Sequence, residues 1–274
     1  MGRSEASPRL RLAQLGLDPK RSLGQHFLHD RAIVRRICDV AGLDPEGVSV
    51  EVGPGLGILT EELAGRVRTV IAIEKDDELA AALGEIMPAN VRIINADALE
   101  FDLSEIPDGP YYLVANLPYN VATAILRRFL DSTRRPVSCT VMVQREVAER
   151  MVARPPDMGI LAVATRFHGE PRIAFRVGRG AFTPPPNVVS AVVHIQVNPN
   201  PPLPQAEFEP FFELVRAGFG TRRKQLKNSL SANAEIDAER LTAALDAAGI
   251  SQQARAQELD VNDWLRLYHA LRAA

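Results

Sequence analysis

Apolar residues recur along this chain with two alternating periods. From Asp30 the positions Ile33, Val34, Ile37 and Val40 keep helical spacing, and 48–52 then reads as a strand running into glycines. A helix is expected over 59–64, a second strand over 69–73 closed by Glu74, and a helix over 77–87 that stops before Pro88. Further strands are expected at 91–94, 112–115 and 139–143, with helices at 121–130 and 146–152. Residues 175–177 and 191–197 read as closing strands.

This alternation predicts an α/β domain with a parallel sheet wound on both faces. Such sheets bind ligands beyond the carboxyl ends of their strands. Glu51 to Gly57, Glu74, Asp97 and Asn116 all fall at such ends, which is the main reason to expect one site. The stretch Asn198-Pro199-Asn200-Pro201-Pro202-Leu203-Pro204 reads as a stiff, extended linker. After it the pattern is helical only, with candidates at 208–219, 222–230, 238–248 and 262–271. The expected organisation is a basic flexible arm at 1–22, with a short helix near 10–15, an α/β domain at 23–198 and a small all-α domain at 199–274.

Composition narrows the class without naming a partner. The chain has 274 residues, 46% hydrophobic and 24% charged, which suits a globular protein with a real core. A net charge of −2 means that any nucleic-acid surface must be a local concentration of basic residues. Two cysteines, Cys38 and Cys139, show no metal-type spacing, so neither zinc nor a disulfide scaffold is expected. The pair of histidines in His26-Phe27-Leu28-His29 lacks a third ligand, and no metal is expected there either. No apolar run reaches the roughly 18 residues that span a bilayer, and no apolar signal core follows the basic N-terminus.

Glu51-Val52-Gly53-Pro54-Gly55-Leu56-Gly57 lets the backbone turn tightly and approach a ligand without side-chain clash. It is not the dinucleotide fingerprint, which needs its third glycine where Ile58 stands. An acid at Glu51 suits the ammonium of an amino-acid moiety better than a pyrophosphate. Glu74, about twenty residues on, can accept both hydroxyls of a ribose. Asp97 can accept an exocyclic amino proton of an adenine. Each has a plainer reading: an ordinary strand-to-helix turn, a solvated charge in Glu74-Lys75-Asp76-Asp77-Glu78, and a helix cap. Three acids at three successive strand ends favour the ligand.

Asn116-Leu117-Pro118-Tyr119 looks suited to presenting a planar amino group. An adenine N6 lone pair is delocalised into the ring, so the nitrogen is a poor nucleophile. The Asn116 side-chain oxygen can accept one of its N–H groups. The Leu117 carbonyl can accept the other, because Pro118 holds Leu117 extended. Tyr119 offers a flat face for base stacking. No acid–base dyad is needed when positioning and electrostatics supply the rate. The tetrapeptide alone also fits a strand-ending turn. Behind the glycine loop it points to methyl transfer onto an adenine N6.

Six segments together resemble the bacterial 16S ribosomal RNA adenine N6,N6-dimethyltransferase family over nearly the whole chain. They are Leu23-Gly24-Gln25-His26-Phe27-Leu28, Val50 to Gly57, Ile73-Glu74, Asn95-Ala96-Asp97-Ala98, Asn116-Leu117-Pro118-Tyr119-Asn120 and Phe182-Thr183-Pro184-Pro185-Pro186. The resemblance implies a Rossmann-like S-adenosylmethionine-dependent methyltransferase domain with a C-terminal all-α domain. It implies S-adenosyl-L-methionine as donor and 16S rRNA within the immature, cytoplasmic 30S subunit as substrate, with two adjacent adenosines near the 3′ end dimethylated. A monomer is expected. By match, His26, Leu28, Gly53, Glu74, Asp97 and Asn116 bind the cofactor, joined by Glu51 and Gly55 of the glycine loop; Asn116, Tyr119 and Phe182, with Leu117 of the clamp, form the catalytic set. Tyr119 and Phe182 would sandwich an everted adenine. The chain departs from the family pattern at His26, where Asn is commoner, at Val189, where Asp is frequent, and at Met158-Gly159 in place of Tyr-Gly. Altered packing around the substrate loop is expected, with activity kept.

Arg222, Arg223, Lys224 and Lys227, with Arg216 nearby, form a basic patch able to neutralise phosphates; a solvated helix face is the plainer account. Arg9, Arg11, Lys20 and Arg21 of the arm can extend it. Trp264, Leu267, Tyr268 and Leu271 form a helical apolar stripe that reads as core packing. Two other functions fit the same residues: an adenine methyltransferase acting on 23S rRNA or DNA, and a small-subunit assembly factor in which methylation is secondary.

Overall fold

The computed structural model describes residues 11, 26–221, 224–234 and 236–273. Most of the expected arm and the Leu23 to Gln25 part of its motif lie outside these residues, as do Arg222 and Arg223. Two compact units form, one within Met1–Ala148 and Arg172–Val197, the other within Glu149–Pro171 and Asn198–Ala274.

The first unit is built on strands β2 (Val48–Val52), β3 (Thr69–Glu74), β4 (Val91–Asn95), β5 (Tyr111–Asn116) and β6 (Ser138–Gln144). Its helices are α1 (Arg31–Ala41), α2 (Ile58–Ala64), α3 (Asp77–Ile86) and α4 (Ala122–Asp131). Every residue of β2 is buried, the signature of a strand covered on both faces. Asp30 caps α1 and Asp76 caps α3, each accepting two backbone N–H groups of the first turn.

Among the described residues the main sheet has the order β4-β3-β2-β5-β6-β9-β7, where β7 is Gly169–Val177 and β9 is Ser190–Val197. Pairing is parallel from β4 through β6 and becomes antiparallel between β6 and β9. The sheet is therefore parallel through its centre, as expected, and turns antiparallel where the closing strand β9 joins β6. An apolar run such as Ala191 to Val197 records burial, not direction. A small two-stranded sheet pairs β1 (Phe27–Leu28) antiparallel with β8 (Phe182–Thr183).

In the second unit, α6 (Ile160–His168) packs with α7 (Phe208–Phe219), α8 (Leu226–Asn233), α9 (Ala238–Ala247) and α10 (Val261–Ala273). Its core holds Met158, Ala162, Val163 and Phe167 beside Phe211, Trp264 and Leu267. The Phe167 ring lies 5.0 Å from those of Phe208 and Phe211, centroid to centroid. A linear boundary at 198 therefore misses an interior segment. α5 (Arg145–Val152) opens where the sequence places a helix. The stripe Trp264, Leu267, Tyr268 and Leu271 is buried core, as its spacing predicts.

Candidate active site

The order β4-β3-β2-β5 sets the carboxyl ends of four strands side by side. Asp97 follows β4, Glu74 ends β3, Gly53 follows β2 and Asn116 ends β5. Three inter-strand steps cover about 14 Å. Residues scattered over sixty-odd positions thus form one row. His26, Leu28, Glu51, Gly53, Gly55, Glu74, Asp97, Asn116, Leu117 and Tyr119 line a single cavity of about 300 Å³.

The glycine loop owes its shape to left-handed backbone. Gly53, Gly55 and Gly57 have φ of 68°, 55° and 73°, a region costly for any other residue. The Gly53 amide donates to the Ile73 carbonyl at 2.9 Å, tying the loop to β3. A β-carbon on Gly55 would meet the Phe27 ring at 3.2 Å, so the N-terminal segment packs directly on the loop.

Glu51 is 1% exposed. Burial pushes its carboxyl up to about 8, the Thr60 hydroxyl pulling the other way and the Glu74 charge adding to the rise. Burial also raises Glu74, opposed by the backbone amides of Asp76, Gly55 and Lys75. The Asp76 amide donates to Glu74 Oε1 at 2.9 Å, which fixes that carboxylate. Asp97 behaves oppositely. Lys75 Nζ donates to its Oδ2 at 2.7 Å and the Leu99 amide to its Oδ1 at 2.9 Å. Lys75 first, then Leu99, holds its carboxyl below the usual range. The capping reading of Asp97 thus applies to one of its oxygens, over a turn rather than a helix. Lys75 went unnoticed in the sequence because it sits in a charge run that reads as solvated.

Asn116 Oδ1 and Glu51 Oε2 are buried and accept no hydrogen bond from the described residues. Buried acceptors of this kind cost free energy unless a donor reaches them. Both line the cavity, and both match a ligand bearing N–H groups. Leu117 is 1% exposed and its amide donates to the Met142 carbonyl at 3.2 Å, so the clamp is anchored to β6. The Tyr119 hydroxyl is bonded to Ser190 Oγ at 2.6 Å, a contact that sequence reasoning missed.

Three expected residues stand elsewhere. Phe182 is 3% exposed, pairs with Leu28 across the small sheet and packs in a core cluster with Val34, Ile37 and Met142. It is not among the residues that line the cavity. The ring that faces Tyr119 is His26. Arg11, expected on an RNA surface, donates to Glu61 at 2.7 Å, and Arg31 reaches the same carboxylate at 3.1 Å. Arg216 is paired with Glu209 at 2.5 Å, an acid two turns back on α7. Lys224 is exposed and Lys227 half-buried.

Residues 16–273 match the profile of the family described as ribosomal RNA adenine dimethylase. The chain belongs to that family. This dimethylase is therefore an enzyme that transfers methyl groups to adenine in ribosomal RNA. It is 45% identical over 256 residues to the ribosomal RNA small subunit methyltransferase A of Dehalococcoides mccartyi, covering 92% of this chain and 88% of that protein. Its counterpart in Rhodospirillum rubrum is 42% identical, covering 96% and 91%. The crystal structure of the 23S rRNA methyltransferase ErmE matches with a TM-score of 0.71 at 31% identity, over 90% of this chain and 99% of that one. A dimethyladenosine transferase from Plasmodium falciparum has a TM-score of 0.76 at 22% identity over 88% and 96%, which shows a shared fold. No helix among the described residues of the dimethylase is long and apolar enough to cross a membrane.

Proposed function

We propose that this dimethylase modifies N6 of two adjacent adenosines near the 3′ end of 16S rRNA in the assembling, cytoplasmic small subunit, with S-adenosylmethionine as donor. The observation that carries the reading is the row of strand ends, closed by a buried Asn116 oxygen that no group of the described residues satisfies. The choice of small over large subunit is supported by the 45% identity to a protein named for the small subunit, against 31% to one named for 23S rRNA.

The residues present fit the donor. Asp97 would take its adenine amine, Glu74 its ribose hydroxyls and Glu51 its ammonium, with Gly53 and Gly55 allowing close approach and Leu28 covering one side. When bound there, it supplies an electrophilic methyl group. The protein's part is positional. Asn116 Oδ1 accepts one N6–H and the Leu117 carbonyl the other, which holds the amine edge-on and loads electron density onto nitrogen. Tyr119, fixed by Ser190, gives the base a flat wall. The N6 proton leaves late, to water. Lys224 and Lys227, with Arg222 and Arg223, contact RNA phosphates.

The test is incubation with immature small-subunit particles and labelled donor, followed by nucleoside analysis. Dimethyladenosine in 16S rRNA is expected. Label confined to 23S rRNA would move the dimethylase to the other substrate.

A further inference from the structure

Lys75, Asp97 and Leu99 line the cavity together with Glu51, Glu74 and Asn116. The turn that carries Asp97 is stapled to the end of β3. The Asn95 side-chain amide and the Ala96 backbone amide both donate to the Glu74 carbonyl, at 3.1 and 3.0 Å. Lys75 follows Glu74 directly, so it and Asp97 leave two neighbouring strand ends side by side. The Leu99 amide donates to Asp97 Oδ1 at 2.9 Å, and Lys75 Nζ to Oδ2 at 2.7 Å. One donor on each oxygen fixes the plane of the carboxylate.

Stability does not account for the pair. The Lys75 side chain is 68% exposed and that of Asp97 27%, and ion pairs so placed contribute little. What the pair does is leave an acceptor in a fixed position. An ionised carboxylate accepts at about four lone-pair sites, and two bonds leave about two of them for an incoming N–H. The nearby charges support the same state. Lys75 first, and the Leu99 amide after it, hold the Asp97 carboxyl below its ordinary value. Asp97 first, with Glu100 of the same turn adding to it, keeps Lys75 charged. Glu74, on the same cavity wall, is occupied by the Asp76 amide. A carboxylate left to rotate would lose that freedom each time a ligand bound, at a cost in affinity.

We infer that Lys75 is a positioning residue of the donor site: it holds the Asp97 carboxylate in the orientation from which that carboxylate accepts the amine of the donor's adenine. This role rests on the donor reading proposed above and deepens it at the adenine end. Lys75 acts through Asp97, so it serves ligands that carry the amine and is idle toward ligands that lack it.

The experiment compares two ligands on the full chain by calorimetry: S-adenosylhomocysteine, and its analogue with unsubstituted purine in place of adenine, which lacks only the amine. The parent is expected to favour the adenine compound by about tenfold or more. Lys75→Met and Lys75→Gln are expected to weaken the adenine compound by about fivefold and to leave the purine analogue within about twofold, so the preference shrinks; Lys75→Arg, which keeps a cationic donor, restores it. Asp97→Asn should also reduce the preference, and adding Lys75→Met to it should cause no further loss. Equal weakening of both ligands would make Lys75 a general support of the fold and overturn the role. Parent-like preference in Lys75→Gln would overturn it as well, even if the Met variant does not fold. Failure of the parent to bind S-adenosylhomocysteine would instead reject the donor reading itself, a result separate from any difference among the variants.

Discussion

The β-carbon that Gly53 lacks would stand 3.9 Å from the Asn116 carbonyl oxygen, and equally far from the Pro118 ring. The donor loop and the amine clamp are thus close neighbours, with room for no more than one methyl group between them at Gly53. That distance is ordinary contact, so sterics do not require glycine there; the φ of 68° does. Gly53→Ala is expected to lose about 1–2 kcal/mol of stability from backbone strain, and donor affinity because a methyl group enters the cleft. Denaturant unfolding and calorimetry check the two effects separately; a variant with full stability would show that the loop relaxes freely.

Asn116→Ala is expected to reduce methyl transfer by about 10²–10³-fold. It should not destabilise the fold, since it deletes an acceptor that no group of the described residues satisfies. A melting temperature equal to or above that of the parent is expected, beside near-complete loss of product. A large drop in melting temperature would mean that Asn116 is structural.

Glu51 makes a pH prediction. Its folded carboxyl is pushed up to about 8 against an ordinary value of 4.5, so the folded state holds a proton that the unfolded state has lost between those values. Stability then falls as pH rises through this window. Donor affinity should rise across it, because an ammonium prefers the ionised carboxylate. Glu51→Gln should flatten both trends, as followed by urea unfolding and donor titration from about pH 5 to about pH 9. An unchanged slope in stability would assign the dependence to another group.

Two glycines in helices should respond with opposite signs. Gly84 of α3 is exposed with nothing within 4 Å of an added β-carbon, so Gly84→Ala should stabilise by about 1 kcal/mol through helix propensity. Gly218 of α7 is buried, and a β-carbon there would approach the fully buried Trp264 indole to 2.4 Å. Overpacking exceeds the propensity gain, and Gly218→Ala should lose about 1–3 kcal/mol. Equal effects at the two sites, read by chemical denaturation, would reject the packing argument.

For RNA, Lys224→Ala should weaken binding and reduce the slope of log affinity against log salt by about 0.7–0.9. An unaltered slope would remove Lys224 from the phosphate surface.

The row Asp97, Glu74, Gly53 and Asn116 was legible because each residue ends an apolar run, and runs of this kind mark strand ends in any parallel sheet. What stayed hidden involves partners that no period encodes. Lys75 on Asp97 and Ser190 on Tyr119 are set by where elements land, not by spacing within them. The burial of Phe182 is hidden for the same reason: proximity to a proline-rich loop says nothing of which way its ring turns. The interior segment 149–171 was unreadable as part of the helical unit because Met158, Ala162, Val163 and Phe167 look like any amphipathic helix face.

That interior segment governs dissection by truncation. A fragment ending at residue 198 would keep Phe167 and its apolar neighbours while discarding the side chains that cover them, so it should self-associate or recruit chaperones. A single cut cannot isolate the catalytic half. A version without that exposed face would need the intervening stretch excised as well.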